Sequence, residues 1–271
     1  MMDTLLSEGY NKVAYYKGLE RYITEYRKTF LEEEDELYPG KNPYSASVIG
    51  EKYLERYQSD DFEVFATEQG GYVSINPNLN RNLYFRFDSI LKIGGKFYVG
   101  EIKTTGWNFT STWEAEWELR TQCLGYLYAL HALMISKGYN VEDIGGIRID
   151  GISCRSLKSG LVVDFKRVVV PYKPEMMFAW LAGINYWFDN WERELIKFSA
   201  ASEDDLILNC FAQAGSQSGA CTAYFRLCPF YDICLNHANP LKIYNRNPLG
   251  IEVNFWNPLE ELEKTKLLEL K

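Results

Sequence analysis

The sequence predicts an α/β fold: a central mixed β-sheet flanked by helices, followed by a C-terminal cysteine-rich metal-binding loop. Three observations lead there. Helical spacing gives way near Phe62 to short runs of β-branched and aromatic residues, and returns in long stretches at 113–137 and 174–198. The order helix, antiparallel strands, long helix, strands, helix suits a sheet covered by helices. Four of the six cysteines then fall within a loop-like stretch, 205–239.

Each element has its own signal. Residues 1–40 interleave Val13, Tyr16, Leu19, Tyr22, Ile23 and Tyr26 with charges, pass the acidic run at 32–36 and close at Pro39-Gly40, as a helical segment does. Ser45-Ala46-Ser47 offers a cap for a helix over VIGEKYLERY, on which Glu51 and Glu55 share a face. FEVFATEQ, GYVSI, LYFRFDSILKI and KFYVGEIKT read as strands, with Gly94-Gly95 as a primed hairpin turn between the last two. The helix over 113–137 is apolar nearly all round in its second half, which marks it as buried, and Gly138 stops it. IGGIRIDGISC and LVVDFKRVVVPY form a second strand pair ended by Pro171, and Pro174 opens an amphipathic helix. The tail, 240–271, ends in a short helix at LEELEKTKLLELK.

The 271 residues suffice for one large domain with an appendage. A net charge of −8 argues against a protein that coats duplex DNA, so any nucleic-acid groove must be local. Aromatic residues, 15% of the chain, can fill a core or stack on bases. No run of about 18 apolar residues is present, so no membrane span is expected. The first residues show no basic and apolar leader pattern, and the expected location is cytoplasmic. In a reducing compartment the cysteines serve as metal ligands or buried apolar groups. No G-x₄-G-K-[ST] motif is present, so no ATPase motor is expected.

Chemistry concentrates between residues 85 and 126. Asp88 closes an apolar stretch within one strand, Glu101 and Lys103 lie two apart on the next, and Gln122 and Tyr126 lie four apart on the following helix. Residues two apart on a strand face the same way, about 6.6 Å along it, and residues four apart on a helix share a face. Two carboxylates can supply oxygens to Mg²⁺, which prefers an octahedron at about 2.1 Å and keeps several waters. With a lysine beside them, that is a set able to hydrolyse a phosphodiester, where water must lose a proton and developing charge must be offset. E-x-K alone is weak; the upstream aspartate and the Q-x₃-Y helix make the pattern specific.

Asp88, the run Glu101-Ile-Lys103-Thr-Thr and Gln122-Cys-Leu-Gly-Tyr126 together resemble the PD-(D/E)XK nuclease superfamily, in its RecB-like branch with Cas4-like and phage-encoded exonucleases. The resemblance covers roughly residues 45–235 and implies a restriction-endonuclease-like core at 45–204, after a helical segment at 1–44 and before the cysteine region at 205–239 and the tail at 240–271. It implies Asp88, Glu101 and the Ile102 main-chain carbonyl as ligands of Mg²⁺ or Mn²⁺, Lys103 as catalytic, and Gln122 and Tyr126 as the Q-x₃-Y pair. Many members carry a histidine in a G-x₃-H context on the first core helix. Here Leu54 stands in that place, and Glu51 or Glu55 is a candidate replacement. Glu68 matches an upstream acidic position less closely.

Cys210, Cys221, Cys228 and Cys234 are spaced C-x₁₀-C-x₆-C-x₅-C, and Cys228-Pro-Phe-x₃-Cys234 resembles a signature of iron–sulfur RecB-like nucleases. A [4Fe–4S] cluster or Zn²⁺ suits four thiolates, with His237 an alternative ligand. In those relatives the first cysteine precedes the core, whereas here none precedes Cys123. Trp107, Trp113 and Arg120 are candidate DNA contacts, while Trp117 suits packing. Asp150, Asp164 and His131 read as structural. The expected function is a metal-dependent DNA exonuclease acting on free ends or single-stranded regions, with which a homo-oligomer and a helicase, recombination or CRISPR partner are compatible. The rival expectation is a non-cleaving DNA-end-binding or iron–sulfur accessory module.

Overall fold

The structure, a computed structural model, describes residues 1–200, 219–236 and 267–270, with single positions at 252, 254, 257 and 260. It forms two compact units, Met1–Trp180 with Pro258–Lys271, and Leu181–Asn257. Residues 1–44 and 45–180 thus belong to one unit, because the first helices share a core with the third.

In the first unit, α1 (Met2–Glu8), α2 (Lys12–Tyr26) and α3 (Pro43–Tyr57) lead into β1 (Glu63–Asn76), β2 (Arg81–Ile93) and β3 (Lys96–Thr105). Next come α4 (Ser111–Ala115), α5 (Thr121–Ser136), β4 (Ile144–Leu157), β5 (Gly160–Pro171) and the start of α6 (Pro174–Ala200). The second unit contains the rest of α6, a 3₁₀ turn at Ala220–Phe225 and α7 (Tyr231–Asn236). The sheet is mixed, ordered β5-β4-β3-β2-β1-β6, with β6 (Leu267–Leu270) returning to the first unit. β3 runs parallel to β4, and β1 to β6; the other neighbours are antiparallel.

Side-chain alternation assigns two faces. Phe97, Val99, Ile147, Ile149 and Val170 bury against Leu124, Leu127, Leu130 and Met134 of α5. On the other face, Ile152 and Phe165 pack with Tyr53, Leu54 and Tyr57 of α3 and with Leu5, Ala14 and Tyr15. Each large apolar side chain so buried contributes about 1.5–3 kcal/mol. The sheet is therefore sandwiched between α5 and the α1–α3 layer.

Several local expectations change. The 1–40 segment is two helices and a 3₁₀ turn, Glu32–Leu37, which carries the acidic run. Asn42, not Ser45, caps α3: its side chain accepts from the Ser45 N–H at 2.8 Å, and Pro43 begins the helix. FEVFATEQ and GYVSI are one strand, β1, because Gly70 and Gly71 pair across to Arg86 and Phe85 instead of turning. Gly94 and Gly95 do form the expected primed turn, both at positive φ (55° and 82°). The 113–137 helix breaks at Arg120, whose extended backbone separates a 3₁₀ turn, Glu116–Leu119, from α5. No glycine or proline marks that break; burial of Trp117 in the core accompanies it. At the end of the tail, residues 267–270 form an edge strand rather than a helix, covering backbone groups that β1 would otherwise expose.

Candidate functional site

The hairpin and the start of α5 converge on Glu101. Glu101 continues the inward row Phe97, Val99, and its strand neighbour on β4 is Ile149, so the carboxylate is only 7% exposed. Lys103 Nζ lies 2.6 Å from Glu101 Oε1 and donates to Gln122 Oε1 at 3.1 Å. The Gln122 amide nitrogen lies within 3.3 Å of Glu101 Oε1 and donates to the Tyr126 hydroxyl at 3.3 Å. Tyr126 in turn donates to the Arg86 carbonyl at 2.8 Å, tying α5 to β2 just before Asp88. The Ile102 N–H donates to Asp88 Oδ2 at 3.3 Å, which holds Asp88 beside the E-x-K strand.

This packing is incomplete at one atom. Glu101 Oε2 is buried and has no hydrogen-bond partner among the described residues. Burial lifts the Glu101 carboxyl above its ordinary 4.5; Lys103 opposes that shift, and the nearby Asp88 charge adds to it. Burial also pushes the Tyr126 phenol up to about 12 and the adjacent Cys123 thiol up to about 11. Tyr126 is thus a neutral hydrogen-bonding group near pH 7, and Cys123 an uncharged core residue.

An unpartnered buried carboxylate oxygen next to a second carboxylate fits a hard cation, which would complete Glu101 and neutralise the pair. Asp88 and Glu101, with the Ile102 carbonyl that the family resemblance adds, are the candidate oxygens that would hold it. Among the described residues, no three His, Cys, Asp or Glu side chains group to hold a metal. Glu51 and Glu55 do not join Asp88 and Glu101: both are exposed on α3, which packs against the opposite face of the sheet. Glu68 does not form a metal-holding group with them either, among the described residues. It lines a pocket with Thr4, Glu8, Lys17 and Arg21 on the α1–α2 side, lies 3.5 Å from Arg86, and takes a left-handed φ of 47°. That conformation is uncommon for a residue with a side chain, and it falls across the sheet from Asp88, between the Thr67–Ser89 and Gln69–Phe87 pairs.

The three candidate DNA contacts separate. Trp113 is half-buried, with Phe109 at 4.5 Å and Trp117 at 5.4 Å between ring centroids, so it packs the 106–120 segment onto β4. Gly151 makes room for it, since a Cβ there would lie 2.4 Å from the indole. Arg120 pairs with Glu116 at 2.8 Å and covers the Trp117 ring at 4.3 Å. Only Trp107 presents its ring, 77% exposed.

Cys221, Cys228 and Cys234 are free, and the Cys228 N–H donates to the Cys221 carbonyl at 2.9 Å. These three do not gather into a metal-holding group, and Cys210 and His237 lie outside the described residues. Asp150 is structural as expected, accepting from Tyr53 at 2.8 Å and from Arg167. His131 meets Tyr172 at 2.6 Å. The pattern-based reading missed the Arg86 carbonyl, which no side-chain motif could signal.

No protein-family model and no curated protein matches the chain. Comparison with solved structures matches the crystal structure of SSO0001 at 16% identity, with 69% of this chain and 94% of that one covered and a TM-score of 0.29. A likeness of that extent carries no functional argument. Among the described residues, no helix is long and apolar enough to cross a membrane.

Proposed function

We propose that this chain is a Mg²⁺- or Mn²⁺-dependent nuclease that hydrolyses DNA at free ends or single-stranded regions. The observation that carries the reading is the buried, unpartnered Glu101 Oε2 beside Asp88 and Lys103. Asp88, Glu101 and the Ile102 carbonyl would hold the ion, which when bound supplies charge neutralisation at the phosphate and acidifies water. Lys103 presents a cation where negative charge develops on the reacting phosphate. Gln122 fixes Lys103 and Glu101 from one side chain, and Tyr126 fixes Gln122. These two are positioning residues.

The test uses DNA labelled separately at its 5′ and 3′ ends, single-stranded and duplex, with Mg²⁺, Mn²⁺ or EDTA. Metal-dependent cleavage that disappears in Lys103→Ala is the expected result, and the product ladder gives polarity. Tight DNA binding without cleavage by the folded, metal-loaded protein would transfer the assignment to a DNA-end-binding module.

A further inference from the structure

A cleft of about 1080 Å³ opens where β3 ends, on the α1–α3 side of the sheet. Its floor begins at Thr104 and Thr105, the two residues after Lys103, and continues over Ile152 and Cys154 of β4. Its lining contains Lys41 and Arg155 but no aspartate or glutamate. That is a local inversion of sign in a chain of net charge −8. Three aromatic rings also line it: Tyr22, Tyr38 and Trp107.

Two details suit this cleft to a ligand. Arg155 lines the cleft, and its buried Nε makes no hydrogen bond among the described residues, so protein alone leaves this cation incompletely satisfied. The Trp107 backbone is pinned at both ends: its N–H donates to Thr105 Oγ1 at 3.2 Å, and its carbonyl accepts from Ser153 Oγ at 2.8 Å. Its indole nevertheless stands 77% exposed. With its backbone fixed, the exposed indole can stack on a ligand at the cost of ordering its own side chain alone.

We infer that this cleft binds a single strand of nucleic acid, with a base stacked on Trp107 and phosphates facing Lys41 and Arg155. Aromatic platforms with interleaved cations are how unpaired strands are held without reading sequence, and a duplex offers no free base face to stack. The inference deepens the nuclease reading and rests on it for the strand's destination. Lys103 lies two residues, about 6.6 Å along β3, before Thr105 at the cleft floor, with its side chain on the α5 face, so a strand leaving the cleft would have to pass the end of β3 to meet it. The cleft would thus select substrates with an unpaired extension.

The experiment measures binding of fluorescein-labelled oligothymidylate to the full chain by anisotropy in EDTA, over a salt series, for wild type, Trp107→Ala, Lys41→Gln and Arg155→Gln. Blunt duplex and thymidine monophosphate serve as competitors. Expected results are a loss of affinity of about tenfold in Trp107→Ala, one stacked base's worth, and a salt slope reduced by about 0.7 in each cation variant. Because Trp107 is exposed, its alanine variant tests the idea even if Arg155→Gln folds poorly. Variants that bind as wild type, no wild-type affinity for the strand, or equal displacement by blunt duplex would each overturn it. Hydrolysis of bis(p-nitrophenyl) phosphate by the wild type with Mn²⁺ separates the two readings, since this small diester does not span the cleft. Hydrolysis with unaltered strand binding in all variants sinks the cleft and spares the nuclease; the reverse pattern supports the cleft and removes the nuclease.

Discussion

The sheet buries a carboxylate on each face, and the two are finished differently. On the α1–α3 side, Asp150 accepts from Tyr53 and Arg167 and lies 3.3 Å from Arg148, while Asp60 bridges the same two arginines. Two acids thus meet two bases, and both Asp150 oxygens are satisfied by protein. On the α5 side, Glu101 has one oxygen on Lys103 and the other without a hydrogen-bond partner among the described residues. A buried charge is costly unless compensated. The Asp150 cluster is not free of gaps either, since Asp60 Oδ2 and Arg148 Nε are buried without a hydrogen-bond partner among the described residues. There, however, arginine cations offset both acids, whereas Glu101 has one lysine and the Asp88 charge nearby, and the cation proposal rests on that difference.

The sharpest way to break this comparison is to neutralise each acid in turn. Glu101→Gln should lower metal-dependent cleavage by about a thousandfold or more, about 4 kcal/mol of barrier, while thermal unfolding without metal stays near wild type or improves. Asp150→Asn should do the opposite. It strands Arg148 and Arg167 and should cost about 3 kcal/mol of stability, read by urea unfolding. If both variants lose stability alike and cleavage is spared in Glu101→Gln, the two sites are both structural and the distinction fails.

Titration sharpens the same contrast. The Glu101 carboxyl is raised above 4.5 in the folded chain, so the native state binds a proton more tightly than the unfolded one. Its contribution to stability is therefore full below about pH 4.5 and declines as pH rises through the elevated native value. Unfolding followed without metal should show that decline in wild type and not in Glu101→Gln. Added Mn²⁺ at about a hundred times its dissociation constant should stabilise wild type by about 2.7 kcal/mol, with no such gain in Glu101→Gln. A metal response that survives in the variant would place the ion elsewhere.

What the sequence made legible follows from range. The Gly94-Gly95 hairpin fixes Asp88 near Glu101 over a few residues, and the spacings of Glu101 with Lys103 and of Gln122 with Tyr126 are local periodicities. The structure brings all five together. The face on which α3 lands is not a local property, and it separates Glu51 and Glu55 from the carboxylates. The burial of Trp113 depends on Gly151, in a strand beyond the next helix. Arg155 and Lys41 meet across one cleft from distant segments, so no motif could pair them. The four-cysteine expectation depends in part on Cys210, outside the described residues.

The smallest expected effect concerns the tyrosines that face the two acids. Tyr53 touches Asp150 directly, whereas Tyr126 reaches Glu101 only through Gln122. Tyr126→Phe keeps the ring, which meets Phe87 edge-on at 5.3 Å, and removes only the hydroxyl that bonds the Arg86 carbonyl. One hydrogen bond of this kind is worth about 1 kcal/mol, so stability should fall by about that much and cleavage by about three- to tenfold as Gln122 loosens. With the phenol pushed up to about 12, it does not exchange protons at working pH, and the pH–rate profile between about pH 6 and 10 should keep its shape. A loss as large as that of Lys103→Ala, or a changed profile, would mean that Tyr126 touches the substrate rather than positioning Gln122. Tyr53→Phe is the matched control: it removes a donor from Asp150, so it should lower stability without entering the cleavage rate.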